Sequence, residues 1–74
     1  MSATIFDMDY RLVDTLNSDQ LEVDDLIGLG NEIVKIISIA PLKNGFALTI
    51  ENDFSEKEIV EIADEDRFEL YLLD

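Results

Sequence analysis

Seventy-four residues carry five basic side chains against eighteen acidic ones, a formal net charge of −13, with no cysteine and no histidine. That inventory leaves room for one small domain, removes thiol and imidazole catalysis together with ordinary zinc sites, and rules out disulfide stapling. A chain of this sign repels a phosphate backbone, so the expected partner is a protein with a basic surface rather than nucleic acid.

Hydrophobic residues make up 47% of the chain, enough to build an interior despite the charge. A chain this short buries only about 60% of its extended surface, and self-repulsion erodes the margin further, so stability is expected to rise with added salt. The longest apolar run, Ile36-Ile37-Ser38-Ile39-Ala40, falls far below the ~18 residues of a membrane span. No basic segment leads into an apolar one at the N-terminus. A cytoplasmic protein with no membrane contact, no cofactor and no resident metal is the expectation.

In chain order, residues 1–8 show no element pattern and are expected to be flexible, leaving 9–74 as a single β domain. Tyr10–Leu16 reads as a first strand, broken at Asn17-Ser18-Asp19, where Ser18 could cap one helical turn. Leu21–Gly30 reads as a turn feeding a short strand, because Gly28 and Gly30 count against a helix. The β-branched run Ile33–Ile39 is the most strand-like stretch. It lies in a middle segment, 31–50, of net charge +1, between 1–30 at −6 and 51–74 at −8.

Asn44-Gly45 is the strongest hairpin signal. A two-residue turn there sets Lys43 opposite Phe46, Pro41 opposite Leu48 and Ile39 opposite Ile50, and places Ile37, Ile39, Phe46, Leu48 and Ile50 on one face. A longer loop over Pro41–Gly45 is the alternative. Asn52–Ser55 gives a further turn. Over the next residues two readings compete. Ser55-x-x-Glu58 fits a helical capping box, whereas Val60 and Ile62 alternate with Glu61 as in a strand. The strand is preferred, since Glu56–Ile62 is short for a helix and carries no helical stripe. Phe68–Leu73 would close the sheet. The fold class is therefore mainly β: a small antiparallel barrel or curled sheet of five to six short strands, with one helical turn at most.

Leu21-x-Val23-x-Asp25-Leu26-Ile27, followed by Gly30 and Ile33-Val34-x-Ile36, resembles the opening of SH3-like barrels. Those domains often start with Leu-x-Val-Gly-Asp-x-Ile, a Gly turn and a valine-rich strand. The resemblance spans residues 21–40 and implies a small barrel, and Asp24 departs from it by standing where those domains usually carry Gly. In size and charge the chain also looks like the small acidic accessory proteins of bacteriophages.

Ile5-Phe6-Asp7-Met8-Asp9 resembles the first motif of haloacid-dehalogenase-type phosphatases, which would make Asp7 the nucleophile and Asp9 the acid. Tyr10-Arg11-Leu12 replaces the continuation of that motif, and the remaining residues cannot hold the rest of that α/β fold. The expectation is a protein that is not an enzyme. Acidic clusters at Asp24-Asp25, at Asp53 with Glu56 and Glu58, and at Asp64-Glu65-Asp66 fit no EF-hand spacing and read as solvated loop acids. Lys35 and Lys43 read as ordinary solvent-face or edge lysines. Tyr10, Phe54, Phe68 and Tyr71 read as core or rim packing.

These acids together with Tyr71 are the candidate partner-binding residues of a non-catalytic acidic interaction module, of prokaryotic or phage accessory type, engaging a basic protein surface. Two alternatives stand beside it. One is an inhibitor that mimics nucleic acid; spread evenly, eighteen acids give about one per 250 Å², against about one per 100 Å² for a duplex. The other is a structural subunit that self-associates through a sheet edge, with Ile33–Ile39 as the exposed strand.

Overall fold

A computed structural model describes residues 10–73; the proposed loose terminus over 1–8 and the Asp7-x-Asp9 string lie outside them. Among the described residues six antiparallel strands form one sheet: β1 Tyr10–Asn17, β2 Leu26–Leu29, β3 Glu32–Leu42, β4 Gly45–Glu51, β5 Lys57–Ala63 and β6 Arg67–Leu73. A single 3-10 turn, Ser18–Gln20, follows β1. The competing reading of 56–62 resolves as strand. In space the order is β1-β6-β2-β3-β4-β5, which puts the near-neutral β3–β4 hairpin between acidic segments on either side.

That order forces the sheet to roll. Lying flat, β5 and β6 would be four strand spacings apart, about 19 Å. Their connection, Asp64–Asp66, spans at most about 14 Å fully extended. It is not extended, because the Asp66 N–H donates to the Ala63 carbonyl at 3.1 Å. Only a strongly curled sheet brings the end of β5 beside the start of β6. Curling does not become closure: β1 and β5 are the two end strands and pair with each other nowhere. The barrel alternative is thus corrected to an open, rolled sheet.

The roll buries Leu21, Ile27, Val34, Ile36, Leu48, Ile50 and Ile62, with Leu16, Leu29, Ile39, Phe46, Val60 and Phe68 packed around them. Where the roll comes nearest to closing, Ser18 holds it. The residue is only 2% exposed, and its hydroxyl donates between the Ala63 carbonyl at 2.7 Å and the Asp66 carbonyl at 3.0 Å. Its N–H also donates to Asp66 O at 3.1 Å. The residue after β1 is therefore tied to the last residue of β5 and to the turn beyond it; this is a cross-sheet pin rather than a helix cap. Ser18→Ala is expected to lower the unfolding free energy by about 1–2 kcal/mol in urea denaturation.

The β3–β4 hairpin departs from the sequence expectation by one residue. Leu42 pairs with Gly45, Pro41 with Phe46 and Ile39 with Leu48, so the turn residues are Lys43 and Asn44. Neither has positive φ, which fits a type I turn with glycine in the last position. Gly45 serves a different purpose: a Cβ there would fall onto the Ile62 carbonyl oxygen of β5, so glycine is what lets the two backbones approach. A bulge between Ile36 and Ser38 then shifts the register, pairing Ile36 rather than Ile39 with Ile50. It turns Ile36 inward in place of Ile37. Pro41 lies beyond the reach of β2, whose pairing ends at Lys35, and its missing N–H is tolerated there.

Three turns use left-handed backbone, one of them at Ser55 between β4 and β5, where φ is +63. Gly30 at the β2–β3 hairpin has φ +63 with nothing within 4 Å of a built Cβ. Asp24 has φ +79, in the position where the resembled domains carry Gly. The strain of an L-residue there is about 1–2 kcal/mol, and it exceeds the entropy cost of glycine, about 0.5–1 kcal/mol. Asp24→Gly is expected to raise the urea midpoint, by about 0.5 kcal/mol of stability, although it removes the exposed Asp24–Lys35 ion pair at 3.9 Å. Phe54, read as packing from sequence, is 81% exposed, because the β4–β5 turn carries it away from the roll.

Candidate functional site

Side chains on alternate positions of a strand face the same way, and of three rows on the concave face, those of β3 and β5 run from apolar to acidic along the roll while that of β2 is apolar throughout. On β3 the row is Ile36, Val34, Glu32; on β5 it is Ile62, Val60, Glu58; on β2 it is Ile27, Leu29. Pairing confirms the parity on β5, since Ile62, Val60 and Glu58 lie opposite Phe46, Leu48 and Ile50. At the Ser18 end the rows are buried. At the other end the concave face opens as a pocket of about 420 Å³ lined by residues of β2, β3, β4 and β5.

Its floor is Leu29, Val34, Ile50 and Val60, and its rim is Glu32, Glu56, Glu58, Lys57 and Asn52. Asn52 organises the rim. Its Oδ1 accepts the N–H groups of Phe54 at 2.8 Å and Glu56 at 3.0 Å, and its Nδ2 donates to Glu56 Oε1 at 3.0 Å. The Asn52 N–H donates to the Glu56 carbonyl at 3.0 Å. The Glu56 carboxylate is therefore held at the mouth. Three carboxylates against one ammonium, above an apolar floor, suit a cationic head on an aliphatic stem. The rim holds no thiol or imidazole nucleophile, and among the described residues no group of three or more acidic side chains is placed to hold a metal ion.

The acids singled out from sequence do not converge. Glu56 and Glu58 are at the mouth, with Asp53 exposed in the adjoining turn. Asp64, Glu65 and Asp66 lie at the opposite end of β5, where the Asp66 carboxylate accepts the Ala63 N–H at 3.0 Å. Asp24 and Asp25 sit in the turn before β2. The Asp25 carboxylate accepts the Glu22 N–H at 2.9 Å, and the turn's backbone bonds to Ile36 on β3 at 2.8 and 2.9 Å. Asp25 and Asp66 are thus turn-stabilising groups.

Tyr71 lies on the convex face of β6, level with Leu12 of β1 and Leu26 of β2. Its ring covers Gly28, whose built Cβ would stand 3.3 Å from Cε2. Its hydroxyl donates to Glu69 Oε1 at 2.7 Å. That hydrogen bond, with lesser contributions from burial and the Glu69 charge, pushes the phenol above its ordinary 10.0. Tyr71 is remote from the mouth and in contact with an acid.

Sequence reasoning missed Glu32 and Asn52. The signal for Glu32 was present: in Glu32-x-Val34-x-Ile36 the acid has the parity of two core residues, as Glu58 does in Glu58-x-Val60-x-Ile62. A charge in register with a buried row marks the place where a sheet stops covering its own face.

Fold and site together define a small, open, rolled antiparallel sheet with an acid-rimmed, apolar-floored mouth. Comparison with protein-family models, with curated proteins and with solved structures finds no match. No helix among the described residues is long and apolar enough to cross a membrane.

Proposed function

We propose that this chain is a non-catalytic binding module that holds a basic segment of a protein partner at the mouth of its rolled sheet. The observation that carries the reading is the placement of Glu32 and Glu58 on otherwise buried rows, so that carboxylates meet an apolar floor in one concavity. Lysine and arginine are the side chains that satisfy both parts of such a site. Nucleic-acid mimicry is less well supported. Eighteen acids over 5275 Å² of surface average about one per 290 Å², against about one per 100 Å² for a duplex, and the acidic turns lie at opposite ends of β5.

The test compares charge at two places. Glu32→Gln with Glu58→Gln removes two charges from the mouth; Asp64→Asn with Glu65→Gln removes two from the sealed end. Binding of a lysine-rich peptide is expected to weaken about tenfold in the first pair and about twofold in the second. Equal losses would reduce the interaction to a general field effect and sink the mouth as a site.

Salt separates folding from binding. Screening a net charge of −13 is expected to raise the urea midpoint as sodium chloride increases, while the same increase weakens peptide binding. A peptide affinity that does not fall with salt contradicts an electrostatic site.

A further inference from the structure

We infer that the partner's basic segment docks as an added β-strand on the open edge of β5, with alternate side chains delivered into the acidic mouth. This rests on the reading of the mouth given above and specifies how the segment is held. In an antiparallel ladder, the residues that bond to the neighbouring strand alternate with residues whose N–H and C=O face away. Two bonds fix that phase for β5. The Asn52 N–H donates to the Glu56 carbonyl and the Asp64 N–H to the Asn44 carbonyl, both at 3.0 Å, and the register between them is continuous. Even-numbered residues of β5 therefore face β4, and Lys57, Ile59, Glu61 and Ala63 face outward.

The Ala63 groups are already taken: its N–H by the Asp66 carboxylate and its carbonyl by the Ser18 hydroxyl. Lys57, Ile59 and Glu61 remain, and among the described residues no turn, side chain or further strand pairs with their backbone. The other end strand is guarded. β1 carries a bulge between Leu12 and Asp14. Its Thr15 and Asn17 N–H groups are occupied by the carboxylate of Asp14 and the amide oxygen of Gln20, each at 2.8 Å. Proteins blunt a free edge with charged side chains, bulges, prolines or covering groups. The edge of β5 from Lys57 to Glu61 has charges at Lys57, Glu58 and Glu61, which disfavour a like-charged copy, but no bulge, proline or covering group, and Ile59 at its centre is 69% exposed. The stretch Ile33–Ile39, considered from sequence as the exposed strand, is instead an interior strand with Val34 and Ile36 buried.

Charge selects the occupant. A second copy would bring two chains of net charge −13 together, whereas a basic strand meets Glu58 and Glu56 on the concave side. Side chains of an added strand alternate between faces. One set would point into the mouth and take lysine or arginine; the other would lie beside Ile59 and take an apolar residue. The recognition mode is strand addition, with affinity from the main chain and specificity from alternate side chains.

The probe is a capped peptide of about eight residues alternating lysine and valine, with a second version N-methylated on alternate residues so that one edge cannot pair. Both are titrated into the intact chain at low salt, with amide hydrogen exchange followed by NMR. Expected are an affinity loss of about tenfold or more on N-methylation and slowed exchange at Ile59 and Glu61 on binding the unmodified peptide. Ile59→Pro, which removes an N–H not used in the ladder, is expected to give the same loss. The methylated peptide uses the unaltered protein, so a folding defect in that variant leaves the test standing. Equal binding of both peptides without amide protection overturns strand addition and leaves the acidic mouth intact. No binding of either overturns both. Protection that rises with protein concentration alone, with a dimer in sedimentation, assigns the edge to a second copy and overturns the basic occupant.

Discussion

Gly45→Ala is expected to cost about 3 kcal/mol, the upper part of the range for a forced overlap in a packed interior. The added methyl group meets the Ile62 carbonyl oxygen and carbon and the Ala63 Cα, all backbone, in a segment that cannot retreat. Ala63 is held by Ser18 and Asp66, and Asp64 is bonded to Asn44. Gly30→Ala is the control. There the new methyl group meets nothing, and only the φ of +63 is unfavourable, at about 1 kcal/mol. A chain of this length has about 4–11 kcal/mol in total, so Gly45→Ala is expected to bring the urea midpoint close to zero in the least stable case. Equal costs at the two glycines would mean that the close approach of β4 to β5 is wrong.

Ile36→Ala is expected to cost about 3–4 kcal/mol and Ile37→Ala about 1 kcal/mol or less, measured by urea denaturation. The two residues are adjacent and chemically identical, so the difference isolates their position. Ile36 is 0% exposed among Ile27, Leu48 and the rest of the core, and removing its side chain opens a cavity in a small interior. Ile37 is the extra residue of the bulge, half-buried and without a partner on β4. An unbulged hairpin with its turn at Asn44-Gly45 predicts the reverse order, because it places Ile37 inward. The pair of variants thus measures the register directly.

Most of the elements are legible in the sequence because each carries its own local signal. Alternation marks Phe46-Ala47-Leu48-Thr49-Ile50 and Val60-Glu61-Ile62, and Asn52–Ser55 punctuates between them. Turn chemistry is less legible, since Asn44-Gly45 looks the same whether glycine is needed for positive φ or for contact with a strand brought alongside from later in the chain. The site was half visible. Glu56 and Glu58 stood in an acidic cluster, but Asp24, Asp25 and Asp66 looked equivalent to them, and nothing local distinguishes a carboxylate that holds a turn from one that lines a pocket. Glu32 was visible only as a charge in register with two core residues.

The residue types and their alternation settled that this chain forms short antiparallel strands, lacks thiol and imidazole chemistry, and carries a strong negative charge, because propensity, parity and formal charge are properties of neighbouring residues. The tertiary structure decided which edge stays open, which acids meet and which isoleucine is buried. Those depend on the three-residue link between β5 and β6, which is satisfied only when a sheet of six strands rolls until its ends almost touch.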